Sequence, residues 1–433
     1  MSAWVRLLLG GDRRIGERNV WWNIAGSGIY ALTSMLLGAL VTRVLGADSG
    51  GIFFFAFSTF GQQMFIAAYF GMRPLQITDA AGQETFGEYR RFRYFTCAAA
   101  LLLSFGYAAF MRGTAEAKTV LLWMALYKVL DGFADCFESE FQRQGRLYLA
   151  GKSIAFRTLI SVLLFTAVLL FSRNLTAACV ASALGLARSV LLFCRLPIRA
   201  FPGVRYEVRP GKMADLFRRS GWLFLSAFLD LYIFAASKYA VNRFMTSADN
   251  SYYTTIFIPT SVINLMANFV IRPVLTGLSE KRERGEKRAF LLTAARIGAL
   301  IAALTALGMA AAYLIGIPVL SLLVGSEAGA ALLPYRGALV TVILGGGFYA
   351  LLNLLYYILV ILEGQRIIFA VYLAVTAAAW LLSNALVRRC GIDGAALSYL
   401  VEMVILTVLF AAAAAVRIRT DGKLNRVREA EAD

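Results

Sequence analysis

Long apolar stretches separated by short basic segments dominate the chain. They occupy residues 20–44, 52–73, 93–111, 119–137, 154–172, 176–194, 220–243, 252–272, 290–316, 336–362, 367–387 and 394–416. A membrane-crossing helix needs about 20 mostly apolar residues, and each stretch meets or approaches that length. The pattern predicts an all-α polytopic membrane protein of about twelve transmembrane helices. Residues 317–335 are also apolar but are broken by Pro318 and Pro334. They are expected to form a re-entrant or interfacial segment. No interval between stretches is long enough for a separate soluble domain.

Composition agrees with this pattern. Of 433 residues, 59% are hydrophobic and 16% charged, with a mean hydropathy of +0.68. A soluble domain is nearer half apolar and a quarter charged. The net charge of +17 does not point to nucleic acid, because the cations sit in the connections beside apolar stretches. With the N-terminus placed inside, the inner segments hold 31 Lys and Arg and the outer loops 8. This positive-inside asymmetry puts both termini in the cytoplasm of a bacterial cytoplasmic membrane. Arg6, Arg13, Arg14 and Arg18 precede a first apolar stretch too long for a signal peptide core, so that stretch reads as an uncleaved helix.

The same inventory argues against an enzyme. There is no histidine, and the five cysteines form no Cys-x-x-Cys pair. No metal site, cofactor or catalytic residue is expected. The one Gly-Lys pair, Gly211-Lys212, lacks the remainder of a phosphate loop.

The two halves of the chain echo each other. Val41-Thr-Arg43 matches Val241-Asn-Arg243, and Phe70-Gly-Met-Arg73-Pro74 matches Phe269-Val-Ile-Arg272-Pro273, about 200 residues later in each case. The basic segment 195–219, with Pro197, Pro202 and Pro210, lies near the middle. The expected organisation is two pseudo-symmetric six-helix bundles related as a parallel repeat. These are 1–196 and 220–417, joined by a cytoplasmic linker at 197–219 and followed by a cytoplasmic tail at 418–433.

The string Thr42-Arg43-Val-Leu45-Gly46-Ala-Asp48-Ser-Gly-Gly51 resembles a stretch after the first helix of oligosaccharide flippases, in the multidrug/oligosaccharidyl-lipid/polysaccharide exporter superfamily. Phe141-Gln-Arg-Gln144-Gly-Arg146 and Leu362-Glu-Gly-Gln-Arg366 are similar to that family too. The major facilitator signature between spans two and three is absent. The first span lacks the acidic residue common in multidrug extrusion members, and the length leaves no room for the two extra helices usual in lipid II flippases. The resemblance implies translocation of an undecaprenyl-diphosphate-linked oligosaccharide by alternating access. It also implies a monomer working beside glycosyltransferases and a glycan polymerase. An ion-coupled multidrug antiporter is the alternative; a membrane polymerase or ligase is a more distant one.

Moving a diphosphate through hydrocarbon requires polar, cationic groups inside the spans. Span one carries Asn23, Ser27, Tyr30 and Ser34 on a shared face. Span two carries Gln62, Tyr69 and Arg73, span seven Asp230 and Lys238, and span eight Ser261, Asn264, Asn268 and Arg272. The resemblance implies that these four spans line a central cavity. The substrate-binding candidates are therefore Asn23, Arg73, Asp230, Lys238, Asn264, Asn268 and Arg272. Other roles stay open. Arg73 and Arg272 have positions suited to snorkelling, Asp230 and Lys238 to an internal ion pair, and the span-one residues to close packing. In span four, Lys128 and Asp131 have the spacing of a local ion pair. Asp131 and Asp135 are the ion-coupling candidates.

Overall fold

The computed structural model describes residues 3–10, 14–79 and 83–422, and of Ala3, Leu7, Asn268, Phe269, Arg272, Pro273 and Thr276 the backbone alone. The described residues are overwhelmingly helical. After a short leading helix, Ala3–Leu9, come α1 (Ile15–Leu45), α2 (Ala47–Thr78), α3 (Phe86–Phe110), α4 (Ala115–Arg143), α5 (Leu147–Ser172) and α6 (Leu175–Ile198). Then follow α7 (Lys212–Phe244), α8 (Ser247–Glu283), α9 (Lys287–Val324) and α10 (Arg336–Ile361).

The last helical stretch, Gln365–Thr420, is two helices. Fifty-six residues would run about 84 Å as one rod. Gly391 breaks it with φ 57° and ψ −133°, a conformation that glycine adopts readily. Ser383 donates to Glu402 across the break at 2.6 Å, so the chain turns back on itself. Residues 365–390 form α11 and 392–420 form α12.

Nine stretches among the described residues are long and apolar enough to cross a membrane. That count takes α11 and α12 as one and omits α4 and α8. Both omitted helices are long enough; their polarity excludes them. Buried in α4 are Lys128, Asp131, Asp135, Glu138 and Glu140, and in α8 Asn250, Ser251, Thr254, Thr255 and Thr260. Adding these helices gives twelve rods. The segment 317–335 does not alter this number. Residues 317–324 prolong α9 beyond a π-turn at Ala312–Gly316, and the rest forms short turns before α10.

Local sequence sets several helix ends. Thr85 and Glu88 form a capping box on α3, Thr246 and Asp249 one on α8, and Asn174 caps α6. The α1–α5 crossing depends on missing side chains. A Cβ on Gly26 would lie 2.4 Å from the Gly151 carbonyl oxygen. Outward faces carry large apolar side chains, including Leu102, Phe110, Leu163, Phe171, Leu314 and Leu322. Such faces suit hydrocarbon, because the helices satisfy their own backbone groups.

Two compact units divide the chain, Met1–Phe228 and Leu229–Asp433, with the border inside α7. The first part of α7 packs within unit 1: Phe224 stacks on Phe70 at 4.0 Å, and Gln63 donates to the Phe228 carbonyl at 2.9 Å. The connection 199–211 is also docked in unit 1. Arg209 pairs with Glu88 at 2.8 Å, while Lys212 and Arg219 each reach Glu84 at 3.2 Å.

Candidate functional site

Unit 1 contains a buried ionic network centred on α4. Its acids at 131, 135 and 138 repeat at helical spacing and share one side of the helix. Arg157 of α5 spans Asp131 (3.0 Å) and Glu138 (2.8 Å), the first contact being an ion pair rather than an aligned hydrogen bond. Asp135 is held by two guanidinium groups, Arg73 at 2.6 Å and Arg93 at 3.2 Å. Arg93 also donates to the carbonyls of Ala68 and Tyr69, where α2 breaks at Phe70 and Gly71. The two residues there have φ of 52° and 63°. Arg93 thus satisfies carbonyls freed by the break.

The network continues to the helix end. Glu140 accepts from Gln76 at 3.2 Å and pairs with Arg143 at 3.1 Å, and Arg143 reaches Asp79 at 3.3 Å. Asp79 lies beyond α2. Burial pushes its carboxyl up, but the backbone amides of Glu84 (3.0 Å) and Gln83 (2.8 Å), with Tyr89 and Arg143, hold it below the ordinary value.

Lys128 stands apart from these pairs. Its ammonium donates to the Tyr30 hydroxyl and to Gln62 Oε1, each at 3.2 Å, and lies 4.1 Å from the Phe57 ring centre. Tyr30 in turn donates to Asp131. The i, i+3 ion pair with Asp131 suggested by spacing is replaced by these contacts, because Arg157 occupies Asp131.

Unit 2 is arranged differently. Asp230, half-buried near the middle of α7, accepts from the Tyr349 hydroxyl of α10 at 3.2 Å, with the Tyr372 hydroxyl of α11 also in reach. Lys238 is 7% exposed, and its ammonium lies 3.9 Å from the Phe257 ring centre and 5.7 Å from that of Phe234. No ion pair joins Lys238 to a carboxylate among the described residues. Asp230 and Lys238 are about 12 Å apart along the helix axis, so they do not form the internal pair that was the other reading of their spacing.

The remaining candidates divide. Asn23 is half-buried at the α1–α5 crossing, where Gly151 packs against its backbone amide. Asn264 is half-buried and donates back to the Thr260 carbonyl of its own helix at 3.0 Å. The side chains of Asn268 and Arg272 lie outside the described residues. Arg73 does not snorkel freely, since Asp135 and Gln142 (3.0 Å) fix it. The structure thus brings Arg73 and Asp135 together, and sequence reasoning missed Arg93 and Arg157 as the partners of the α4 acids. The helical spacing of three acids within one apolar stretch was the available signal.

No known protein family and no curated protein matches the sequence. Solved structures do match the fold. One is described as the inward-facing conformation of a multidrug resistance MATE family transporter of the MOP superfamily. It has a TM-score of 0.69 at 11% identity, covering 92% of this chain and 100% of that one. The lipid II flippase MurJ, in an inward closed conformation, has a TM-score of 0.70 at 13% identity, covering 90% and 86%. A mutant of the Vibrio cholerae MATE transporter VcmN has a TM-score of 0.60 at 12% identity, covering 98% and 100%. At these identities the likeness is one of fold.

Proposed function

We propose that this chain is a transporter rather than an enzyme. Its cargo is an undecaprenyl-diphosphate-linked oligosaccharide, carried by alternating access across the bacterial cytoplasmic membrane for surface polysaccharide assembly. The fold is compatible with this cargo and with drugs, since both kinds of transporter share it. The observation that favours a phosphate-bearing cargo is Lys238. A cation in a membrane-spanning helix is expensive to bury without an anion. Aromatic rings offset part of that cost, and a diphosphate supplies the missing negative charge during transport. On this reading both termini face the cytoplasm, glycosyltransferases supply the substrate and a polymerase consumes it.

One feature favours the second reading, an ion-coupled multidrug antiporter. Asp230 is met by tyrosine hydroxyls, an arrangement suited to an organic cation or a coupling ion. Gene deletion separates the two. Loss of surface glycan with unchanged toxin tolerance supports the flippase; toxin sensitivity with intact glycan overturns it.

A further inference from the structure

The Lys128 cluster in unit 1 has chemistry that neither the packing of α4 nor the candidate residues above account for. Around it, each neighbouring carboxylate has its own cation: Asp131 and Glu138 share Arg157, and Asp135 takes Arg73 and Arg93. Four cations face three carboxylates here, and at the helix end Arg143 alone meets two more, Glu140 and Asp79, so the shortfall of negative charge is local to Lys128. Lys128 is the one cation of the four whose ammonium meets only uncharged atoms: the Tyr30 hydroxyl, Gln62 Oε1 and the Phe57 ring. A lysine ammonium has three donors, and two of them engage Tyr30 and Gln62.

The surroundings are built for this lysine. It is 2% exposed and lies mid-way along α4. Gly61 makes space for its stem, since a Cβ there would lie 3.0 Å from Lys128 Cγ. Its hydrogen-bond partners Tyr30 and Gln62 are half-buried. Asp131 acts on the ammonium only across Tyr30 and not by direct contact, so an anion in direct contact would stabilise the buried charge further.

We infer that Lys128, Tyr30 and Gln62 form an anion-binding site that takes a phosphate or diphosphate group. The ammonium gives the charge and its third donor, the Gln62 amide nitrogen gives a hydrogen bond to a phosphate oxygen, and Tyr30, whose proton goes to Asp131, holds the ammonium in place. This inference rests on the reading of a diphosphate-bearing cargo, and it assigns unit 1 its own phosphate contact in addition to Lys238.

The test uses the full-length protein purified in detergent, with inorganic pyrophosphate and, separately, undecaprenyl diphosphate as probes. Thermal denaturation gives stability, and titration calorimetry gives affinity. Lys128→Met should leave the unliganded melting temperature unchanged or raised and weaken binding at least tenfold. Gln62→Leu should weaken it several-fold. Loss confined to undecaprenyl diphosphate identifies the lipid-linked phosphate as the ligand; loss for both probes identifies the phosphate group itself. Wild-type binding by Lys128→Met overturns the inference. So does an unfolded Lys128→Met protein, since that makes the lysine a structural member of the network. So does a wild-type protein that binds neither probe. A protein that flips lipid-linked sugar yet binds both probes equally well as Lys128→Met leaves the transport reading standing and removes only this site.

Discussion

The two units differ in how they treat charge. In unit 1, the buried acids Asp131, Asp135 and Glu138 of α4 are joined to arginines from α2, α3 and α5. In unit 2, Asp230, Lys238 and Glu402 are met by hydroxyls or rings: Tyr349 for Asp230, Phe257 for Lys238 and Ser383 for Glu402. At the offset of about 200 residues suggested by the sequence echoes, Tyr30 falls against Asp230 and Phe57 against Phe257. Both phenylalanines seat a lysine ammonium, at 4.1 and 3.9 Å, but α4 supplies it in unit 1 and α7 in unit 2. The lesson is that paired charges hold unit 1 together, whereas charges without ionic partners cost stability and are better explained by cargo or coupling.

The largest expected effect breaks the pairing of unit 1. Arg157→Ala leaves Asp131 and Glu138 buried without their cation. It should cost about 3–5 kcal/mol, read as loss of folded, monodisperse protein after solubilisation. Lys238→Met makes the opposite point. It should leave the melting temperature unchanged or raised and lower the rate of flipping at least tenfold. Tyr349→Phe removes a donor to Asp230 and should cost about 1.5 kcal/mol, measured by thermal denaturation.

The smallest effect concerns pH. Because the folded-state pKa of Asp79 is depressed, its hold on the Gln83 and Glu84 amides is present above the ordinary carboxylate value. It is lost as pH falls through the lowered value. Protection of the Gln83 and Glu84 amides from hydrogen exchange, relative to the intrinsic rate at each pH, should therefore fall below about pH 4, and Asp79→Asn should show the lower protection already at neutral pH.

Much of the fold was legible in the apolar pattern. All twelve expected stretches correspond to rods, including α4 and α8, whose polarity hides them from a hydropathy criterion. Helix limits were less legible. α7 starts at Lys212 and α8 runs to Glu283, well past the apolar edges, because polar residues extend helices into the interface. The chain reversal at Gly391 matched the gap between the last two stretches, but the hinge residue itself was not evident.

The site was legible only in part. Helical spacing marked Asp131 and Asp135, but their partners Arg93 and Arg157 come from other helices, and tertiary packing alone reveals them. The i, i+3 geometry of Lys128 and Asp131 suggested a local pair. The buried guanidinium of Arg157 takes Asp131 instead, with its fixed fork of donors suited to carboxylates. Arg73 lies at a helix end where snorkelling is common, and only the fold shows Asp135 within 2.6 Å.

The most direct test of the central claim is flipping of a labelled undecaprenyl-diphosphate-linked oligosaccharide in proteoliposomes, comparing the wild-type chain with Lys238→Met. The account predicts rapid translocation by the wild type and at least a tenfold loss in the variant, with equal amounts of folded protein in both. Equal rates in the two, or no translocation by a folded wild type, would contradict it.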